Sequence, residues 1–241
     1  MAGEVPQPGG LSQTVTSVDQ APVGDRENTI YRERFSPAEN LARDQIWQVL
    51  VEEIFQPLIP STATVLDLGC GFGEFVRHVR CTRRIGVDLN TLAVDALSRA
   101  GVDFHQGHVT DLQFLPDASV DFVFSSNVLE HLPHKQAVDT VLAEARRVLR
   151  PGGQLVLVGP NIRLVPGLYW DYWDHYVPIS DRSLAEALRI AGFTILEQVA
   201  AFMPYTIKSR LPAAPWLVRL YLKNRWVWPL LGRQFLLRAM R

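Results

Sequence analysis

Apolar residues in this chain gather into short dense runs that alternate with amphipathic stretches, and the alternation repeats from about residue 36 to the end. Val65–Leu68, Arg84–Asp88, Gly101–Gly107, Val120–Phe124, Gln154–Val158 and Thr194–Val199 have the length and composition of buried strands, and Arg233–Ala239 reads as a seventh. Between them, residues 74–79, 91–99 and 136–149 place apolar side chains at helical spacing, and Arg150-Pro151-Gly152-Gly153 stops the last of these. Strands separated in this way predict an α/β fold, a mostly parallel sheet with helices on both faces. Ligands of such sheets bind beyond the carboxyl ends of the strands. Ahead of the first strand, Ser36-Pro37-Ala38-Glu39 has the form of a capping box. Leu41, Ile46, Leu50, Ile54 and Phe55 then share one helical face up to Pro57. Residues 1–27 lack periodicity and are expected to form a disordered arm.

The first strand breaks into Gly69-Cys70-Gly71-Phe72-Gly73. Alternating glycines permit positive φ and bring a ligand against bare backbone, here at the expected N-terminus of a helix with outward N–H groups. The dinucleotide fingerprint would need a third glycine where Glu74 stands. Asp67 and Glu74 flank the turn, and carboxylates there would repel a pyrophosphate. The pattern suits a ligand carrying an amine or a sulfonium; the alternative is a tight turn without a ligand. Asp88 follows Gly69 at close to the ~20-residue spacing at which an acid meets ribose hydroxyls, although an Asp there could also cap the following helix.

At 241 residues, 47% hydrophobic and 20% charged, the chain suits one globular domain with an arm or insertion. Net charge is −1, but from Gln198 to Arg241 there is no Asp or Glu, so the C-terminal end is strongly cationic. Cys70 and Cys81 are the two cysteines, which argues against a disulfide framework and for a cytoplasmic setting. An acid and prolines stand where a leader would need basic residues and an apolar core, and no apolar run approaches the ~18 residues of a membrane span.

Taken together, the segments VLDLGCGFGEF, IGVDLN, GHVTDL, VDFVFSSNVLEHL and EARRVLRPGGQLVLV resemble the motif series of class I S-adenosylmethionine-dependent methyltransferases. The resemblance implies a Rossmann-like, seven-stranded sheet whose last strand is antiparallel, and S-adenosylmethionine as methyl donor. By motif position, Gly69, Gly71 and Gly73 would line the methionine and ribose, and Asp67 would lie near the amino group. Asp88 would take the ribose hydroxyls, Leu89 would pack on adenine, and Asp111 with the Leu112 backbone would read its edge. Ser126 and Asn127 would close over the methionine moiety. The domain would cover residues 28–241, with about 200–232 as an insertion between the last two strands.

Transfer from a sulfonium mainly requires alignment, and an oxygen acceptor also needs a base. His131 follows the fourth strand on the cofactor side, and His175 sits in the aromatic segment 169–176, where Asp171 or Asp174 could orient it. A packed histidine and a surface aromatic cluster are the structural alternatives. His134 is placed to begin the next helix. No metal ligands are assigned.

The tail also resembles, more weakly, methyltransferases of bacterial polysaccharide and glycolipid clusters. That would imply O-methylation of a sugar hydroxyl on a glycan or lipid-linked precursor, with Lys208 and Arg210 meeting phosphates. A small phenolic, quinone-like or lipid acceptor, or a non-catalytic cofactor-binding protein, are the other readings. Within the insertion, Arg219 and Lys223 form a basic stripe on an aromatic helix. That helix suits a lid, a dimer contact, or a peripheral contact of residues 212–231 with the inner face of the membrane. Nucleic acid is not favoured as acceptor.

Overall fold

The computed structural model describes residues 25–34, 36–205 and 214–241. Seven strands form one sheet: β1 (Thr64–Leu68), β2 (Arg83–Asp88), β3 (Asp103–Gln106), β4 (Val120–Ser126), β5 (Leu149–Pro160), β6 (Thr194–Met203) and β7 (Gln234–Met240). Their order is β3-β2-β1-β4-β5-β7-β6. Strands β3 through β5 pair in parallel, and β7 runs antiparallel to both β5 and β6. The order reverses at β1, so the carboxyl ends of β1 and β4 flank the switch point where a ligand enters such a sheet.

Period-two alternation sends each strand's side chains to two separate cores. Leu66, Leu68, Val123, Leu155 and Leu157 face the layer of α4 (Lys135–Val148) and α5 (Asp181–Ile190). Val65, Phe122, Phe124, Val156 and Val158 face the layer of α2 (Pro37–Leu50). The second core is aromatic: Phe75 and Phe124 stack at 3.8 Å between centroids, and Phe55 meets Phe124 edge-on at 4.9 Å. Truncating a fully buried phenylalanine of this kind costs about 3–5 kcal/mol.

The capping box at Ser36 forms as expected, with Glu39 N donating to Ser36 Oγ and Ser36 N to the Glu39 carboxylate. Ile46, Leu50 and Phe55 are buried, while Leu41 is 62% exposed and lies off that face. A five-residue π-turn, Val51–Phe55, continues the helix and rotates Phe55 into the core. Residues 25–27 of the expected arm belong to α1 (Asp25–Arg34), and residues 1–24 lie outside the described residues.

Residues 74–79 do not form the expected regular helix. They make a series of turns, with Arg77 N bonded to Gly73 O and Val79 N to Phe75 O, before α3 (Val94–Arg99) follows β2. Phe75, Val76 and Val79 are all buried, so the apolar spacing was dictated by packing rather than by a full helix.

Between β6 and β7 the chain forms α6 (Pro215–Lys223), a 3-10 turn and α7 (Trp228–Leu231), which pack beside α2 on the aromatic core. Arg219 pairs with Glu52 and Glu53 at 2.7 Å, so the expected basic stripe turns inward at this residue. Lys208 and Arg210 lie outside the described residues. No helix among the described residues is long and apolar enough to cross a membrane.

Candidate active site

The glycine turn closes the end of β1 in a conformation that only glycine adopts freely. Gly69, Gly71 and Gly73 have φ of +70°, +54° and +81°. Their amides are spent within the protein: Gly69 N and Cys70 N donate to Val87 O, Gly73 N to Cys70 O, and Gly71 N to Asp88 Oδ2 at 2.7 Å. The outward N–H groups expected at a helix N-terminus are therefore not what the turn offers, since no regular helix follows and these donors point inward. The loss removes the main attraction for a phosphate.

Carboxylates take the place of those donors. Asp67, Glu74 and Asp88 are all buried around the turn. Burial holds the Asp67 carboxyl well above its usual range, and the charges of Glu74 and Asp88 push it further up. Arg43 pairs with Glu74 at 2.5 Å. A cationic ligand would relieve the remaining repulsion, so the residues fit the sulfonium and ammonium of S-adenosylmethionine. Asp88 does not cap α3; its second oxygen accepts from Asn90 N at 2.7 Å, which ties β2 to the turn. Leu89 follows it at the strand end. Asn90, unassigned from sequence, has a buried Nδ2 without a partner beside Asp88.

The expected adenine readers fare differently. Asp111 is exposed and accepts from Gln113 N, while Leu112 N donates to Glu144 Oε2 at 3.1 Å and Leu112 O accepts from Arg147. The Leu112 backbone is thus tied to α4 in this structure. Ser126 and Asn127 end β4, where Asn127 adopts φ +54° and donates from Nδ2 to Ser126 Oγ.

Beyond them the chain turns through Leu129–His131, and a loop after β5 folds back over it. Tyr176 N and Val177 N donate to Glu130 O, at 2.8 and 3.2 Å, and fix that loop. The structure thereby brings His131, Asp174 and His175 together with Glu130. The pairing differs from the expectation: Asp174 orients His131, through Nδ1 at 3.1 Å from Oδ2, and does not orient His175. Arg34 of α1 also pairs with Asp174. Against the cost of burial, the hydrogen bonds of His131 and Arg34 hold the Asp174 carboxyl well below its usual range. Burial lowers the His131 pKa, but Asp174 and Glu130 outweigh it and raise the imidazole above its ordinary value.

His175 is the opposite case. Burial and the neighbouring charge of His131 lower its pKa to about 4, which keeps it neutral at physiological pH. It is 7% exposed, lies 4.7 Å from the His131 ring and stacks on Tyr172, and its Nδ1 has no hydrogen-bond partner. The aromatic segment is divided: Tyr169 is buried, while Trp173 is 89% exposed. His134 N-caps α4 by accepting from Ala137 N, as its position suggested. Glu130 was passed over in sequence because a lone acid on a surface turn is unremarkable; Arg34 was passed over because it lies far away along the chain.

Residues 66–157 match the family described as methyltransferase domain. A Mycolicibacterium smegmatis protein named probable S-adenosylmethionine-dependent methyltransferase is 33% identical over 171 residues, which cover 67% of this chain and 65% of that protein. The fatty-acid O-methyltransferase of the same organism is 34% identical over 132 residues, 51% of this chain and 42% of that protein. The chain therefore spans less than two thirds of the length of these curated relatives. An S-adenosylmethionine-dependent methyltransferase from Archaeoglobus fulgidus has a similar structure, with a TM-score of 0.63 at 19% identity, covering 90% of this chain and 100% of that one. Geranyl diphosphate methyltransferase, solved with sinefungin, gives 0.57 at 17% identity over 81% of this chain and 77% of that one. At these identities the two structures bear on the fold alone.

Proposed function

The chain carries a methyltransferase domain of the class I, S-adenosylmethionine-dependent kind, and from that premise we propose that it methylates a hydroxyl oxygen of a polyhydroxylated acceptor, such as a sugar of a glycan or glycolipid precursor. S-adenosylmethionine supplies a methyl group on a cationic sulfur. The carboxylates Asp67, Glu74 and Asp88 favour that cation, and the glycine turn admits it. As the acceptor oxygen bonds to the methyl carbon, the carbon–sulfur bond breaks, its electron pair stays on sulfur, and the hydroxyl gives up its proton.

The observation that carries the oxygen acceptor is the open lone pair of His175 Nδ1, buried and neutral beside Glu130 and His131 at the carboxyl end of the sheet. An apolar acceptor would gain nothing from this polar group, which would stay unpaired in its presence. A hydroxyl bonds to it. Replacing His175 by Ala is expected to lower turnover by about 10²–10⁴-fold while leaving S-adenosylmethionine affinity unchanged. Calorimetry for the cofactor and a methyl-transfer screen against sugars, phenols and fatty acids test both halves. Turnover of phenols or fatty acids but not of sugars would overturn the acceptor class, and full activity of both His175→Ala and His131→Ala would remove the cluster from the reaction.

A further inference from the structure

Glu130, His131 and His175 converge from two segments that are far apart in sequence. Their donor atoms, one carboxylate oxygen and two ring nitrogens, all lie within 4.8 Å of one another. Donors bound to one ion at about 2.1 Å sit about 3–3.5 Å apart, so side-chain rotations of an ångström or two close the set. Three features prepare these residues for ligation. His131 Nδ1 is taken up by Asp174, through its carboxylate at 3.1 Å and its carbonyl at 3.0 Å, which leaves Nε2 facing Glu130 Oε1 at 4.0 Å. This carboxylate–histidine arrangement is the one that fixes the tautomer and orientation of metal-bound imidazoles. His175 presents Nδ1 with a lone pair and no partner, although the residue is 7% exposed. Glu130 is 3% exposed, and a carboxylate removed from water in this way calls for a counter-charge.

We propose that Glu130, His131 and His175 bind a divalent transition-metal ion, which receives the acceptor through two adjacent hydroxyls. Two imidazoles and one carboxylate favour Mn²⁺, Fe²⁺, Co²⁺ or Zn²⁺ over Mg²⁺ or Ca²⁺, whose ligands are oxygens. Three protein ligands leave coordination positions open to substrate. A vicinal diol fills two of them in a five-membered chelate, and the ion lowers the pKa of the bound hydroxyl. The proton released on coordination goes to solvent water. The oxygen then takes the methyl from sulfur with the electron balance given above. The substrate clause rests on the O-methyl-transfer reading, with the ion on His175 Nδ1 in place of a direct hydroxyl contact, so that the hydroxyl meets His175 through the ion; the metal clause stands on the side-chain cluster alone.

Chelator-treated full-length chain titrated with Co²⁺, Mn²⁺ and Mg²⁺ in a calorimeter tests the metal clause without turnover. One Co²⁺ per chain with micromolar affinity is expected, and Mg²⁺ should bind at least about 100-fold more weakly. Glu130→Gln and His175→Ala should each weaken Co²⁺ at least about 100-fold, and Asp174→Asn about 10–100-fold, with S-adenosylmethionine affinity retained. Where a variant does not fold, proton NMR of the wild-type chain with Co²⁺ replaces it, since imidazole N–H signals shifted by the paramagnetic ion report histidine ligation directly. Absence of Co²⁺ binding at millimolar concentration, unaltered binding in both variants, or an NMR spectrum without such signals would overturn the site. Failure of S-adenosylmethionine to bind would overturn the methyltransferase reading and leave the metal result standing. Equal turnover of a diol and its single-hydroxyl analogue by the Co²⁺-loaded chain would overturn the chelate alone.

Discussion

Gly69 shows how narrowly single residues are constrained at the site. Its φ of +70° disfavours any side chain, and a Cβ there would lie 2.2 Å from Val128 Cγ2. Gly69→Ala is expected to displace Val128 or the turn and to lower cofactor affinity more than tenfold in a calorimetric titration, with the fold retained by circular dichroism. Asp67 presents a different balance. Its carboxyl pKa is raised by folding, so ionisation destabilises the native state once the pH exceeds the unfolded value. Asp67→Asn should therefore raise the melting temperature at neutral pH while weakening S-adenosylmethionine binding; a fall in both would refute the electrostatic role. The acids at 67 and 88 and the three glycines were legible in sequence, because each occupies a fixed place relative to a strand end. The bond of the Leu112 amide to Glu144 was not, because no local pattern links that helix residue to it.

At the level of elements, strands were easier to read than what joins them. Alternating apolar positions in β1, β4 and β5 report two buried faces directly. Residues 74–79 have helical spacing but too few residues to complete a helix before β2 begins, so packing of Phe75 and Val79 prevailed. The start of α5 shows how such joints are held. Asp181 is 4% exposed and accepts from Asn161 Nδ2 at 2.8 Å, Gln198 Nε2 at 3.0 Å and Arg163 at 2.8 Å, tying β5 and β6 to the helix. Burial opposes its ionisation, yet these donors prevail and lower its pKa. The stabilisation is complete above the unfolded carboxyl value near 4 and is lost as pH falls below it toward the folded value. Asp181→Ala should cost about 2–3 kcal/mol at pH 7, measured by urea unfolding, and the deficit should shrink on acidification toward pH 3. A constant deficit across that range would show that packing, not charge, holds the joint.

In the whole molecule, the segment before the sheet and the insertion after β6 take separate tasks. The insertion buries Leu222 and Trp228 against the sheet and leaves Trp216, Trp226 and Leu230 exposed. Helix α1, by contrast, reaches both halves of the site: Asn28 exchanges hydrogen bonds with Thr91, next to the Asp88 loop, while Arg26 donates to Tyr176 and Arg34 to Asp174. Sequence could not place this helix, whose bonds to Thr91, Tyr176 and Asp174 reach more than sixty residues along the chain. Because one short helix bonds to both halves of the site, occupancy at one end is expected to bear on the timing of events at the other. With α1 anchored by Asn28 beside the Asp88 loop, steady-state kinetics are expected to follow a compulsory order with methyl donor first. S-adenosylhomocysteine should then compete with the donor and act as a noncompetitive inhibitor towards the acceptor. In an Asn28→Ala/Arg34→Ala variant that order should relax to random.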